Sequence, residues 1–122
     1  MDCVIRHTLV IKEIPPSLNV LMREHWSKRS KQLERWRWLV ADAWKNMPVI
    51  PGRVKVKIIY YFPDKRKRDY DNYSGKLILD SLKGKVITED NSTVIVELAH
   101  KFEYDKADPR VVIEIDKVDT NG

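Results

Sequence analysis

From Val4 to Ile11 the chain is nearly continuously apolar and β-branched, the pattern of a strand. Ile14-Pro15-Pro16-Ser17 then interrupts it, because two successive prolines continue neither a ladder nor a helix. Further on, Leu33, Trp36, Val40, Ala43 or Trp44, and Met47 recur at steps of three and four. That spacing predicts one long helix over Glu24–Met47, closed by Pro48 and the Pro51-Gly52 pair. Between Arg53 and Phe62 the period changes to two, with Val54, Val56, Ile58 and Tyr60 on one side, which predicts a half-buried strand. A second helix is expected over Asn72–Leu82, capped by Asp71 or Asn72 and stopped near Gly84. Thr93–Phe102 and Arg110–Val118 read as two further strands, and the polar stretch Glu103–Pro109 between them as a hairpin loop. The order strand, helix, strand, helix, strand, strand implies an α+β fold, a single mixed sheet with two main helices packed on it.

The 122 residues suit a single domain spanning 1–122, with enough chain to bury one core. Hydrophobic residues make up 43% and charged residues 34%, and only 4 glycines and 6 prolines are present, which excludes fibrous and linker classes. No apolar run approaches the roughly 20 residues of a membrane helix, so no membrane partner is expected. Asp2, Arg6 and His7 interrupt the N-terminal apolar stretch, unlike a secretory leader. The single cysteine, Cys3, offers no internal disulfide, and a reducing cytoplasmic setting is expected.

Charge adds more. The net charge is +5, and it is uneven: residues 1–85 carry ten more basic than acidic residues, and 86–122 five more acidic than basic. A basic body suits a polyanion, whose phosphates bind Lys and Arg with release of counterions. The same +5 also serves plain solubility.

Four cations, Lys65-Arg66-Lys67-Arg68, run directly into Asp69-Tyr70-Asp71-Asn72. In extended chain Asp69 and Asp71 point to one side, about 6–7 Å apart along the chain. Two carboxylates so placed suit a hard cation such as Mg²⁺, which keeps waters that a substrate phosphate replaces. Asp71 as a helix cap, with Asp69 paired to an arginine, accounts for the same spacing. Glu89-Asp90, in a turn before a strand, offers a third carboxylate, or else an exposed acidic turn. Asn72, Lys76, Asp80 and Lys83 share one helix face, either a solvated charged face or one that puts Lys76 near a phosphate under attack. The three histidines show no metal-ligand spacing, and no glycine-rich phosphate loop or nucleophile elbow is present. Trp26, Trp36, Trp38 and Trp44 cluster on the first helix, with Trp38 off the main stripe and free for an interface.

Taken together, these motifs resemble the RusA-type Holliday junction resolvases. Ile14-Pro-Pro-Ser-Leu-Asn19 is similar to that family's proline–serine–asparagine motif after the first strand. The basic run into Asp69-Tyr-Asp71-Asn72 resembles its RDxDN signature, Lys76-x-x-x-Asp80-Ser-Leu82 the helix that follows, and Glu89-Asp90 its later acidic pair. The resemblance covers positions 4 to about 102. It implies a homodimeric endonuclease that uses Mg²⁺, or Mn²⁺ in its place, to cut four-way DNA junctions in recombination and repair. It implies a metal-binding catalytic cluster of Asp69, Asp71 and Asp90, with Lys76 as the catalytic lysine. Lys65, Arg66, Lys67, Arg68, Asn19 and Asn72 are then the expected DNA contacts. Two departures stand out. The family places two residues between the asparagine and the lysine, whereas Tyr73, Ser74 and Gly75 intervene here. One extra helical residue turns Lys76 by about 100°, which Gly75 is expected to absorb. The acidic pair is also Glu-Asp instead of Asp-Asp, which aligns Asp90 with the metal-binding member and leaves Glu89 as the candidate one step away. The competing readings are a DNA- or RNA-binding module of the same fold without chemistry, and a nuclease for other branched DNA.

Overall fold

The computed structural model describes residues 5–118. Cys3 and Val4, the first residue of the expected N-terminal strand, lie outside that range. Four strands form one mixed sheet in the order β1-β4-β2-β3: β1 Arg6–Ile11, β2 Val54–Phe62, β3 Ile95–Tyr104 and β4 Arg110–Lys117. Three helices accompany it: α1 Leu18–Arg23, α2 Trp26–Trp44 and α3 Lys76–Leu82. The α+β class and the single mixed sheet match the expectation, with one helix more than the pattern predicted.

Burial follows from the period of two. Leu9 and Ile11, then Val54, Val56, Ile58, Tyr60 and Phe62, then Val111, Ile113 and Ile115 face one side and are buried. Trp36, Val40 and Trp44 of α2 and Ile78 and Leu82 of α3 complete the same cluster. Burying each such side chain contributes about 1.5–3 kcal/mol. The other sheet face is open and charged, with Arg6 bonded to Asp116 at 2.8 Å and Lys55 paired with Glu97 at 3.4 Å.

Three expectations need correction. The hairpin does not form, because β4 lies between β1 and β2 and is antiparallel to both, while β3 runs parallel to β2 on its far side. Residues 105–109 instead cross the end of β2, where the Asp105 amide donates to the Phe62 carbonyl at 2.8 Å. The crossover through α3 makes the parallel pairing reachable, as parallel neighbours require a long connection. Next, the long first helix is divided. Ser17 caps α1 and His25 caps α2, its side chain accepting from the Ser27 amide. α2 ends at Trp44 because Lys45 turns left-handed, so Met47 is exposed instead of continuing the stripe. Last, the helix expected from Asn72 is a 3-10 turn, Tyr70–Tyr73, followed by α3. The outward position of Trp38, 67% exposed, agrees with its place off the stripe.

Candidate active site

The basic run leaves β2 after Phe62 and folds around one carboxylate. The Arg66 amide and guanidinium both donate to Asp64, at 3.0 and 3.2 Å. Arg68 donates to Asp64 Oδ1 at 2.8 Å and to the carbonyls of Asp64 and Arg66. The Arg66 and Arg68 hydrogen bonds pull the Asp64 carboxyl down to about 2. The four cations therefore differ in role. Arg68 is only 13% exposed and lies 4.0 Å over the Phe62 ring, an internal brace for the loop. Lys65 sits over Tyr104. Arg66 and Lys67 are exposed.

Asp69 is extended and begins the 3-10 turn that contains Asp71. Both are exposed. The alternation that would aim two extended residues to one side therefore does not govern this pair, because a 3-10 turn rotates each residue by about 120°. Asp69 stands at the N-cap position of this turn without a side-chain capping bond among the described residues.

Asn72 joins the two ends of the recognised pattern. Its side-chain oxygen accepts the Asn19 amide at 2.8 Å, tying the start of α1 to the Asp69–Asn72 segment. Pro15, Pro16, Leu18 and Leu21 on one side and Asn72 to Ile78 on the other line a small cleft. Tyr60 also lines it; its buried hydroxyl has no partner among the described residues, and burial pushes its ionisation up.

Gly75 resolves the extra residue before Lys76. It adopts φ +80°, a left-handed conformation, and so restarts the chain as α3 with Lys76 at its first position. A side chain there is strained and crowded: a Cβ would stand 2.7 Å from Ile58 Cδ1 and 3.1 Å from His100 Nε2. Lys76 is exposed and its ammonium lies 3.9 Å from Asp80.

At the other end of α3 the acidic pair separates. Glu89 binds Lys83 at 3.2 Å. Asp90 instead lies beside Asp80, near enough to act on its carboxyl. Burial raises the Asp80 carboxyl above its ordinary range, Lys76 opposes this, and Asp90 raises it further. Asp80 thus joins the site, and its signal was its place four residues after Lys76 on a shared face. The structure therefore sets Asp90 beside Asp80 of α3. Among the described residues, no three acidic, histidine or cysteine side chains gather closely enough to hold one metal ion.

The chain matches the family model of endodeoxyribonuclease RusA over residues 19–116. It belongs to the RusA family. The match includes Asp69, Asp71, Asn72, Lys76 and Asp90 within one stretch. RusA proteins are endodeoxyribonucleases that act on Holliday junction DNA. No curated protein matches it. No helix among the described residues is long and apolar enough to cross a membrane.

Proposed function

We propose that this RusA-family chain is a Mg²⁺-dependent nuclease that works as a homodimer and places paired, symmetric nicks in four-way DNA junctions. The observation that carries the reading is the family match, which spans the whole acidic and basic constellation.

The donor set suits Mg²⁺, or Mn²⁺ in its place, because every candidate ligand is a hard carboxylate oxygen. Asp69, Asp71 and Asp90 are the proposed donors. An ion of this kind is commonly held by one or two carboxylates, with water and substrate phosphate in the other positions. Asp80 and Asp90 support this further, since two neighbouring carboxyls repel when ionised and a cation between them relieves the repulsion. When bound, the ion would supply a water of lowered pKa and charge on the scissile phosphate.

The chain's own residues do the rest. Lys76 carries its ammonium at the exposed start of α3, where a cation is disfavoured by the helix dipole. There it would counter charge building on the phosphate or the leaving oxygen. Lys65, Arg66 and Lys67 would position backbone phosphates, and Arg68 would hold the loop that presents them. Asn72 and Asn19 keep the cleft wall in place beside that backbone. A two-fold dimer offers one site to each of two symmetry-related strands of a junction.

The test incubates pure protein with a synthetic four-way junction and with linear duplex of the same sequence, with and without Mg²⁺. Paired nicks only in the junction and only with Mg²⁺ are expected. The competing reading, a module that binds DNA without cutting it, draws on the lack, among the described residues, of three acidic, histidine or cysteine side chains gathered closely enough for one ion. Binding without any nick at any Mg²⁺ concentration would establish it.

A further inference from the structure

Tyr70 lies between the two aspartates of the loop, yet its ring is 60% exposed. It is not loose. One face lies against Phe102, with centroids 4.4 Å apart and planes 26° from parallel. Phe102 is itself held edge-on by Phe62 at 5.1 Å and Tyr60 at 5.6 Å, both buried in the core. The tyrosine is therefore the outermost layer of an aromatic stack rooted in the sheet, and its other face is open. Two residues along the same side of β3 stands Tyr104, 44% exposed, with the Lys65 ammonium 5.1 Å over its ring. Arg66 and Lys67 adjoin it, exposed.

We infer that Tyr70, with Tyr104 beside it, is a stacking platform for an unpaired nucleobase next to the phosphate to be cut. The inference rests on the junction-nuclease reading and supplies what that reading lacks, a means of telling a branch from a duplex. Phosphate contacts by Lys65, Arg66 and Lys67 are available on any DNA. A base within a duplex is covered on both faces by its neighbours, whereas a base at a crossover can leave the stack and offer a face. Rigid exposed aromatics interleaved with cations are how proteins hold such bases, and stacking tolerates any sequence because every base has a π-face. The position between Asp69 and Asp71 sets the captured base beside the proposed chemistry. Only the ring face is used, so the hydroxyl is dispensable.

The experiment compares wild type, Tyr70→Ala, Tyr70→Phe and Tyr104→Ala without divalent metal. The probes are a four-way junction with 2-aminopurine at the crossover, a linear duplex, and oligothymidylate. Tyr70→Ala should weaken junction and oligothymidylate binding by about 5- to 100-fold, the range of one lost stacking contact. It should change duplex binding less than about twofold and abolish the 2-aminopurine emission change. Tyr70→Phe should behave as wild type, and Tyr104→Ala should show a smaller loss of the same kind. Unfolding curves for each variant confirm that the comparison is between folded proteins. Unchanged junction and oligothymidylate binding in Tyr70→Ala overturns the inference, as does an equal loss on duplex, which would mark a phosphate or structural role. Were wild type to bind junction and duplex alike, the junction reading would fall, and oligothymidylate alone would decide the role of Tyr70.

Discussion

The His100 ring meets the backbone of Ser74: Nε2 lies 2.9 Å from the Ser74 carbonyl oxygen. A carbonyl only accepts, so Nε2 carries the proton and donates it. This bond pins the residue before Gly75 to the edge strand, and Gly75 then turns the chain into α3. Gly75→Ala meets a left-handed backbone and the Ile58 methyl together. It should cost about 1–3 kcal/mol of stability and reduce cutting more than DNA binding, because Lys76 loses its position. Denaturant midpoints and nicking rates measured side by side check this. A variant with wild-type values in both would show that the turn does not set Lys76.

Asp71→Asn and Asp90→Asn should each abolish nicking while junction affinity holds or rises, since each removes a negative charge beside DNA. Gel-shift titrations without metal and cleavage assays with Mg²⁺ separate the two effects. Cutting retained by Asp71→Asn would remove that residue from the ligand set.

The Asp64 clamp sets a pH window. Its carboxyl is held at about 2 in the folded protein, below its ordinary 3.8. A depressed carboxyl stabilises the fold above its unfolded value and loses that contribution as pH falls through its folded value. The 64–68 loop should therefore stay ordered at pH 4 and loosen toward pH 2, whereas Asp64→Asn should loosen it at neutral pH. Amide NMR signals of the loop report both. A loop equally ordered in Asp64→Asn at neutral pH would show that the clamp is dispensable.

Salt dependence should divide the basic run. Neutralising Z phosphates gives log K a slope of about −0.9Z against log salt. The Arg66→Ala/Lys67→Ala double variant should flatten that slope by up to about two units. Arg68→Ala should instead disorder the loop and lower stability, as its guanidinium is packed on Phe62. An unchanged slope in the double variant would take this loop off the DNA.

Strand positions were legible because their period of two holds through Val54–Tyr60 and Val111–Ile115, where one face is buried. Strand order was not. Nothing in the alternation of β4 says which two strands flank it, and proximity in sequence wrongly favoured β3. α1 was hidden behind the two prolines, although Ser17 carried a cap signal. In the site, the composition of the Lys65–Asn72 run was informative, but its geometry depended on a 3-10 turn tied to α1 through Asn72 and on Arg66 and Arg68 folding back onto Asp64. Asp80 was visible as a neighbour of Lys76, while its meeting with Asp90 depends on how the chain turns after α3.

β4, flanked on both sides, is synthesised after every other described element. Its ion pair with β1 joins Arg6 to Asp116 across nearly the whole chain. During translation, β1, all three helices and the basic loop emerge before the strand that unites them. Neither β1 nor β2 has its shared partner until then, so the sheet closes late and through contacts of long sequence separation, a slow class of folding step. Until residue 117 has left the ribosome, the nascent chain presents its cations and its unpaired strands to the surroundings, and the interval before closure is when a chaperone or stray nucleic acid can reach them.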